Sequence, residues 1–342
     1  MKKSIYFDPT KYLPYQRNFI LINSERTVGK TYSTQKFQIE RALDKAERFV
    51  YFVRTQQEKS TGVFQDAYSK VMMEQFPGYD FTFKSNHCFV ELDDQQFEIG
   101  VCMALSEANK AKRINYPKSR WGLFDEYILE EMTHSDYVSG WNEPNLFLKA
   151  YHTIDREQDY LTVFMLANTV EFYNPYHIHP AFNVPPTPIG EVWKSENVVY
   201  EHIEASEELK KKKKQSKFLR MIEGTEYGGY AIKGDFINDN DSFIASRTKK
   251  AKLQYNFDVG TETFGVWYDN DTGILYIDDV YDKNFSRWYT FDKNRMKEGK
   301  TLVVNKEIYI LKWTGAMFRR GNVRWTKMEI KGKSLEGLRK IL

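Results

Sequence analysis

Residues 24–31, Ser24-Glu25-Arg26-Thr27-Val28-Gly29-Lys30-Thr31, match the spacing G-x-x-x-x-G-K-[ST] at every fixed position except the first, where serine stands for glycine. That spacing builds a loop whose successive backbone N–H groups wrap phosphate oxygens at a helix N-terminus. Lys30 is then placed to reach the β- and γ-phosphates, and the Thr31 hydroxyl to hold Mg²⁺. About a hundred residues later the apolar run Trp121-Gly122-Leu123-Phe124 ends in Asp125-Glu126. An aspartate at that point supplies the hard oxygen that Mg²⁺ bridging two phosphates needs, and a glutamate one residue on can orient and polarise an attacking water. The chemistry these residues share is ATP hydrolysis. A third apolar run, Leu161–Leu166, ends in Ala167-Asn168, where the amide of Asn168 can contact the γ-phosphate. Arg156 is of the type that neutralises transition-state charge across a subunit interface.

These residues need a frame that brings strand ends together. Phe19-Ile20-Leu21-Ile22 reads as a buried strand running into the loop, and a helix-compatible stretch follows to about Lys45. Arg48–Arg54 is the next strand-like run, so the chain opens with a βαβ unit and a parallel sheet. In open α/β sheets ligands bind beyond the carboxyl ends of the strands, so the segments after Ile22, Phe124 and Leu166 are expected to converge. Three alternating pieces at Asp80–Lys84, Cys88–Leu92 and Phe97–Ala104 suggest an antiparallel edge or insertion. Prolines 175, 180, 185, 186 and 188 mark an expected boundary, and Glu207-Glu208-Leu209 followed by lysines 210–214 reads as a solvated connector. Beyond Tyr227 the clearest element is a hairpin, Glu262–Asp269 and Ile274–Asp279 around a turn at Asn270–Gly273. Ser334 is the expected N-cap of a terminal amphipathic helix bearing Leu335, Leu338, Ile341 and Leu342. The expected domains are therefore 1–185, a linker or lid over 186–227, and 228–342.

Composition narrows the classes. The 342 residues suggest two domains, and 24 Phe, 23 Tyr and 7 Trp supply ample core, which excludes wholesale disorder. No run approaches the roughly 20 apolar residues of a membrane span, and no secretory h-region develops before Asp8. Two cysteines, Cys88 and Cys102, offer neither a disulfide framework nor a CxxC site, which fits a reducing cytoplasm. Fifty basic residues against 47 acidic ones give +3, so a polyanion must be met locally.

The sequence resembles the DNA-packaging ATPases (encapsidation proteins, relatives of terminase large subunits) of phi29-like tailed phages almost end to end. The resemblance is carried by Ser4–Leu13, Arg26 within the GK[ST] loop, Tyr51–Arg54, Tyr116-Pro117, Leu123–Glu126, Asn174-Pro175-Tyr176, Glu223–Gly228 and Phe264–Trp267. It implies an N-terminal P-loop ATPase of the additional-strand, catalytic-glutamate (ASCE) type with a central, mostly parallel sheet. It further implies a linker and a C-terminal α+β domain of RNase H-like fold that has lost cleavage. The expected assembly is a homopentameric ring docked on the portal (connector) of an empty prohead in the host-cell cytoplasm, driving double-stranded DNA inward, in some members through a structural packaging RNA. Arg156 falls where such proteins carry a trans-acting arginine finger. Two departures stand out. Ser24 replaces the loop's first glycine, so its backbone must avoid positive φ or bear strain, and Gln57 lies near a position that can be basic in the family.

Grip on the DNA backbone calls for cations on a channel loop, and Lys110, Lys112 and Arg113 precede the Asp-Glu strand in that role. Arg247, Lys249, Lys250, Lys252, Arg319, Arg320 and Arg324 are further candidates for RNA or portal contact. Two rival readings stay open. One is a nucleotide-dependent switch without sustained turnover. The other is an active metal-dependent nuclease built on Asp258, Asp269, Asp278 and Asp279, residues that turns and strand ends explain equally well. His177-Ile178-His179 lacks the further ligands a metal site needs.

Overall fold

A computed structural model describes residues 5–111, 118–129, 138, 142–169, 172, 174–222, 243–259, 262–291, 295–296, 299–303 and 308–339. The chain divides into two compact units, Met1–Asn238 and Asp239–Leu342.

The first unit is built on a nine-stranded sheet. Its strands are β1 (Phe19–Ser24), β2 (Phe49–Val53), β3 (Asp80–Lys84), β4 (His87–Leu92), β5 (Gln95–Ala104), β6 (Trp121–Asp125), β7 (Thr162–Asn168), β8 (Val192–Lys194) and β9 (Val198–Ile203), in the order β3-β4-β5-β2-β6-β7-β1-β9-β8. The six strands from β5 to β9 in that order pair in parallel, while β3, β4 and β8 add antiparallel edges. Strands β1, β2 and most of β6 and β7 are buried on both faces, as continuous β-branched and aromatic runs require in a covered parallel sheet. One face packs α5 (Glu143–Asp155), where Phe147 touches the rings of Phe19, Phe52, Phe124 and Phe182. The other packs α1 (Lys30–Lys45) and α3 (Val63–Gln75), through Phe37, Phe64 and Tyr68.

The expected boundary at 185/186 falls inside this unit. The proline-rich stretch turns the chain back, and Val198-Val199-Tyr200 then enters the sheet in parallel beside β1, fully buried. A tie from the N-terminal segment fixes β9 further, with Tyr12 and Lys11 both binding Glu201. Residues 192–194 and 198–203 are therefore strands, and the lysine-bearing helix Glu207–Lys214 is held to this unit by the buried Leu209, which a wholly solvated connector would not be. The division lies at 238/239, and residues 223–242 are outside the described part.

The second unit holds six strands, β10 (Lys252–Val259), β11 (Glu262–Asp269), β12 (Ile274–Asp278), β13 (Trp288–Thr290), β14 (Thr301–Leu302) and β15 (Val323–Trp325), in the order β14-β13-β10-β11-β12-β15. Strands β10, β11 and β12 form an antiparallel meander that includes the expected hairpin; β13 and β14 continue in parallel from β10, and β15 from β12. Its core gathers Tyr255, Phe257, Phe264, Val266 and Trp325 under helices Tyr309–Arg319 and Met328–Arg339. Ser334 is not an N-cap. The last helix begins six residues earlier, and Ser334 is buried within it, its hydroxyl accepting from the Trp325 indole at 2.9 Å. No helix among the described residues is long and apolar enough to cross a membrane.

Candidate nucleotide site

Strands β1, β6 and β7 end side by side, with Ser24 paired to Asn168 and Asp125 to Leu166. A cleft of about 390 Å³ opens there, lined by residues 26–32 with Asp125, Glu126, Ala167 and Asn168. The convergence read from the sequence is thus present, and β7 separates the loop-bearing strand from the Asp-Glu strand.

Helix α1 starts at Lys30, behind Gly29 at φ 85°, and no acidic side chain occupies its first turn, so its N–H groups face the cleft as an anion site. A side chain at Gly29 would be strained at this φ, and its Cβ would press on the Tyr6 ring at 3.2 Å. The N-terminal segment lies against the loop at this point, its Phe7 N–H donating to the Val28 carbonyl. Of the two courses open to Ser24, its backbone takes the one that avoids positive φ. Ser24 ends β1 as an ordinary strand residue, and the left-handed positions of the loop are Thr27 at φ 70° and Gly29.

Lys30 is buried, and its ammonium donates to Ser24 Oγ at 2.6 Å and Asn168 Oδ1 at 3.3 Å. The serine that replaces glycine therefore holds the lysine of the loop. Glu25 points away from the cleft, its carboxylate accepting from the Ala205 N–H at 3.2 Å, so it contributes backbone only and anchors the loop to the segment after β9. Asp125 accepts from the Thr31 hydroxyl and from the Glu126 N–H. Burial pushes its carboxyl up to about 6, against the hydrogen bond from Thr31 and the nearby charge of Lys30. Two hard oxygens, from Thr31 and Asp125, meet in the cleft, and a carboxylate with a raised pKa gains from a cation. Glu126 follows with its side chain exposed toward the cleft, on a backbone at φ 53°.

Residues to which sequence reasoning gave no role hold this turn. Tyr127 is fully buried; its N–H donates to the Leu166 carbonyl, and its hydroxyl bonds Asn23 Oδ1 and His177 Nε2, the latter at 2.7 Å. Burial drives the His177 imidazole down to about 3, so it is neutral. His179 turns instead to Asn145, so the two histidines do not converge on a metal. A tyrosine directly after the Asp-Glu pair and an asparagine directly before the loop were the available signals.

Arg156 does not join this cleft. It caps the C-terminal end of α5 at φ 52°, ahead of β7, at the opposite end of strands about 20 Å long. The buried carboxylate of Asp155 accepts from four N–H groups, of residues 158–161, and so fixes the turn that presents Arg156. Lys112 and Arg113 lie outside the described residues. Lys110 sits in a short helix, Ala108–Ala111, its side chain also outside them.

In the second unit the four carboxylates weighed as metal ligands are each engaged by donors. Buried Asp258 accepts from Lys300 at 2.7 Å, Thr263 at 2.8 Å and Trp288 at 3.1 Å. Arg247 and Thr326 bind Asp278, Thr248 binds Asp269, and Lys327 binds Asp279.

Comparison with known proteins agrees with this geometry. A family model for the Podovirus DNA encapsidation protein (Gp16) matches residues 1–342. The DNA packaging protein of Bacillus phage phi29 is 28% identical over 347 residues, covering 100% of this chain and 99% of that protein. The solved bacteriophage Phi-29 viral genome packaging motor assembly superposes with a TM-score of 0.72 at 27% identity, over 99% of this chain and 100% of that one. The crystal structure of the N-terminal domain of the DNA packaging ATPase from bacteriophage phi29 shares the fold over 60% of this chain and 99% of its own, with a TM-score of 0.52 at 24% identity.

Proposed function

The chain belongs to the Podovirus DNA encapsidation protein (Gp16) family, and from that premise we propose that it hydrolyses ATP in its first unit to drive double-stranded DNA into a prohead. The observation that carries the reading is the placement of Asp125-Glu126 one strand away from the Lys30-Thr31 loop, both opening on one cleft. The strand inserted between them supports assignment to the additional-strand, catalytic-glutamate class.

In this reading the loop N–H groups and Lys30 bind the phosphates of ATP, Lys30 leaving Ser24 to do so. Thr31 and Asp125 would hold Mg²⁺, which supplies charge neutralisation between the β- and γ-phosphates. Glu126 orients the attacking water and takes its proton, and Asn168 contacts the γ-phosphate. Because Arg156 lies a strand's length from its own cleft, it serves a neighbouring copy, which makes the active unit a ring with sites at subunit interfaces. A pentamer at the portal, with or without a structural RNA, is the assembly the family resemblance implies. Lys110, Lys112 and Arg113 are proposed to face DNA in the channel. The second unit, with its meander β12-β11-β10 extended in parallel by β13 and β14, is read as RNase H-like, and the cations bound to Asp258 support an inactive nuclease.

The test is steady-state ATP hydrolysis with and without double-stranded DNA over a range of protein concentrations. Wild type should turn over with a steep concentration dependence and DNA stimulation. Glu126→Gln should lose about 10²–10⁴-fold in kcat while still binding ATP, and Arg156→Ala a comparable factor. Nucleotide binding without turnover under every condition would favour the switch.

A further inference from the structure

Beneath the catalytic turn lies a buried ion pair that neither nucleotide chemistry nor DNA grip uses. Arg54, the residue after β2, is 7% exposed, and Glu143, the first residue of α5, is fully buried. The Arg54 Nε stands 3.2 Å from both Glu143 oxygens, and its Nη2 donates to the Tyr127 carbonyl at 3.1 Å. The guanidinium also lies over the Phe124 ring, 5.0 Å from its centroid. Glu143 is saturated from its other sides, with the Tyr176 hydroxyl on Oε1 and the Val138 N–H on Oε2, each at 2.8 Å. Tyr127 in turn bonds Asn23, the residue before the phosphate loop's Ser24.

One side chain, Arg54, thus grips both the turn that carries Glu126 and the start of the helix that ends at Arg156. Helix α5 spans about 20 Å and packs rigidly on β6, with Phe147 stacked on Phe124 at 5.5 Å. A buried ion pair adds little net stability over an apolar pair of similar shape, so its value lies in fixing geometry. A guanidinium is suited to this because its planar fork can serve two acceptors at once, which an ammonium at the same place cannot do in the same directions.

We infer that Arg54 and Glu143 are positioning residues that set the Glu126 turn and the Arg156 helix against each other, so that one subunit's own site and the finger it offers its neighbour are aligned together. The inference rests on the proposed trans action of Arg156. It differs from a role in one site alone, because loss of the pair should damage both ends of the same subunit.

Mixed-ring complementation tests it. Equal mixtures of full-length Glu126→Gln and Arg156→Ala subunits pair an intact site with an intact finger at about a quarter of interfaces, so DNA-stimulated hydrolysis should rise well above either variant alone. Absence of that rescue would overturn the trans reading itself, separately from the role of the pair. Glu143→Gln, checked for wild-type melting and ATP-analogue binding, should rescue neither of the two variants by more than about twofold. Rescue of Arg156→Ala would mean that the Glu143→Gln subunit still offers an intact finger, confining Glu143 to its own site, and the inference would fall; rescue of Glu126→Gln would mean that it still holds an intact site, confining Glu143 to the finger with the same consequence. Should Glu143→Gln fail to fold, Arg54→Lys decides. It keeps the charge but not the two-way grip, and is expected to rescue neither variant, whereas wild-type turnover by Arg54→Lys would show that only charge is needed and overturn the inference.

Discussion

Both units end buried strands in carboxylates, yet they treat them in opposite ways. Asp125 lies at the end of β6 with a threonine hydroxyl and one backbone N–H as its partners, in a cleft open to ligand, and its carboxyl is pushed up to about 6. Asp258, in β10, is fully buried, but Lys300 sits on it at 2.7 Å and Arg295 stands at 3.6 Å. The backbones differ too. The cleft turns carry Thr27 and Glu126 at positive φ, whereas in the second unit every positive-φ residue among those described is a glycine. A strand-end carboxylate that opens on a cleft is available to a bound cation, whereas one on which a lysine sits is already neutralised.

The largest stability effect expected from this contrast is at Lys300. Lys300→Ala leaves the buried Asp258 with the more distant Arg295, and should cost about 3 kcal/mol in denaturant unfolding of the second unit. A variant as stable as wild type would show that the lysine does not neutralise Asp258.

The next effect has the opposite sign. Because the folded pKa of Asp125 lies above its ordinary 3.8, the native state holds the proton to higher pH than the unfolded chain. The resulting penalty is absent below about pH 3.8, grows as pH rises, and is complete above about 6. Asp125→Asn should therefore stabilise the nucleotide-free protein by about 2 kcal/mol at pH 7.5, a figure reduced from the full shift because water reaches the carboxylate, and by nothing near pH 3.5. Equal Tm changes at the two pH values would contradict a desolvated carboxylate.

The smallest concerns strain. Thr27 is β-branched at φ 70°, and its relief in Thr27→Gly is offset by the added freedom of glycine in the unfolded chain. A net gain of about 0.5 kcal/mol is expected in chemical denaturation, with ATP binding weakened only through a looser loop. Destabilisation would mean that the loop stores no strain at that residue.

The spacing of Ser24–Thr31, the Asp125-Glu126 pair and the apolar runs before them were enough to foresee a parallel sheet whose strands β1, β6 and β7 end together at one cleft. Such signals are local: a loop conformation, a hydroxyl beside a lysine and a two-residue acidic pair are written in consecutive residues. The entry of Val198–Ile203 into the sheet beside β1 was not legible, because pairing between residues as far apart as Phe19 and Val198 leaves no local mark and the prolines before it read as an ending. Ser334 likewise offered a cap by its type, and only the packing of Trp325 against it shows an interior helical residue. The same holds for Arg54, Glu143, Tyr127 and His177. Each is an ordinary polar residue in sequence, and it is burial that forces them to find one another, since an unpaired charge or hydroxyl in that core would be costly. Sequence alone marked out the groups proposed to meet the phosphates; tertiary structure decided that Arg156 stands at the far end of the sheet from them, because the direction of β7 relative to β1 is a property of the folded sheet.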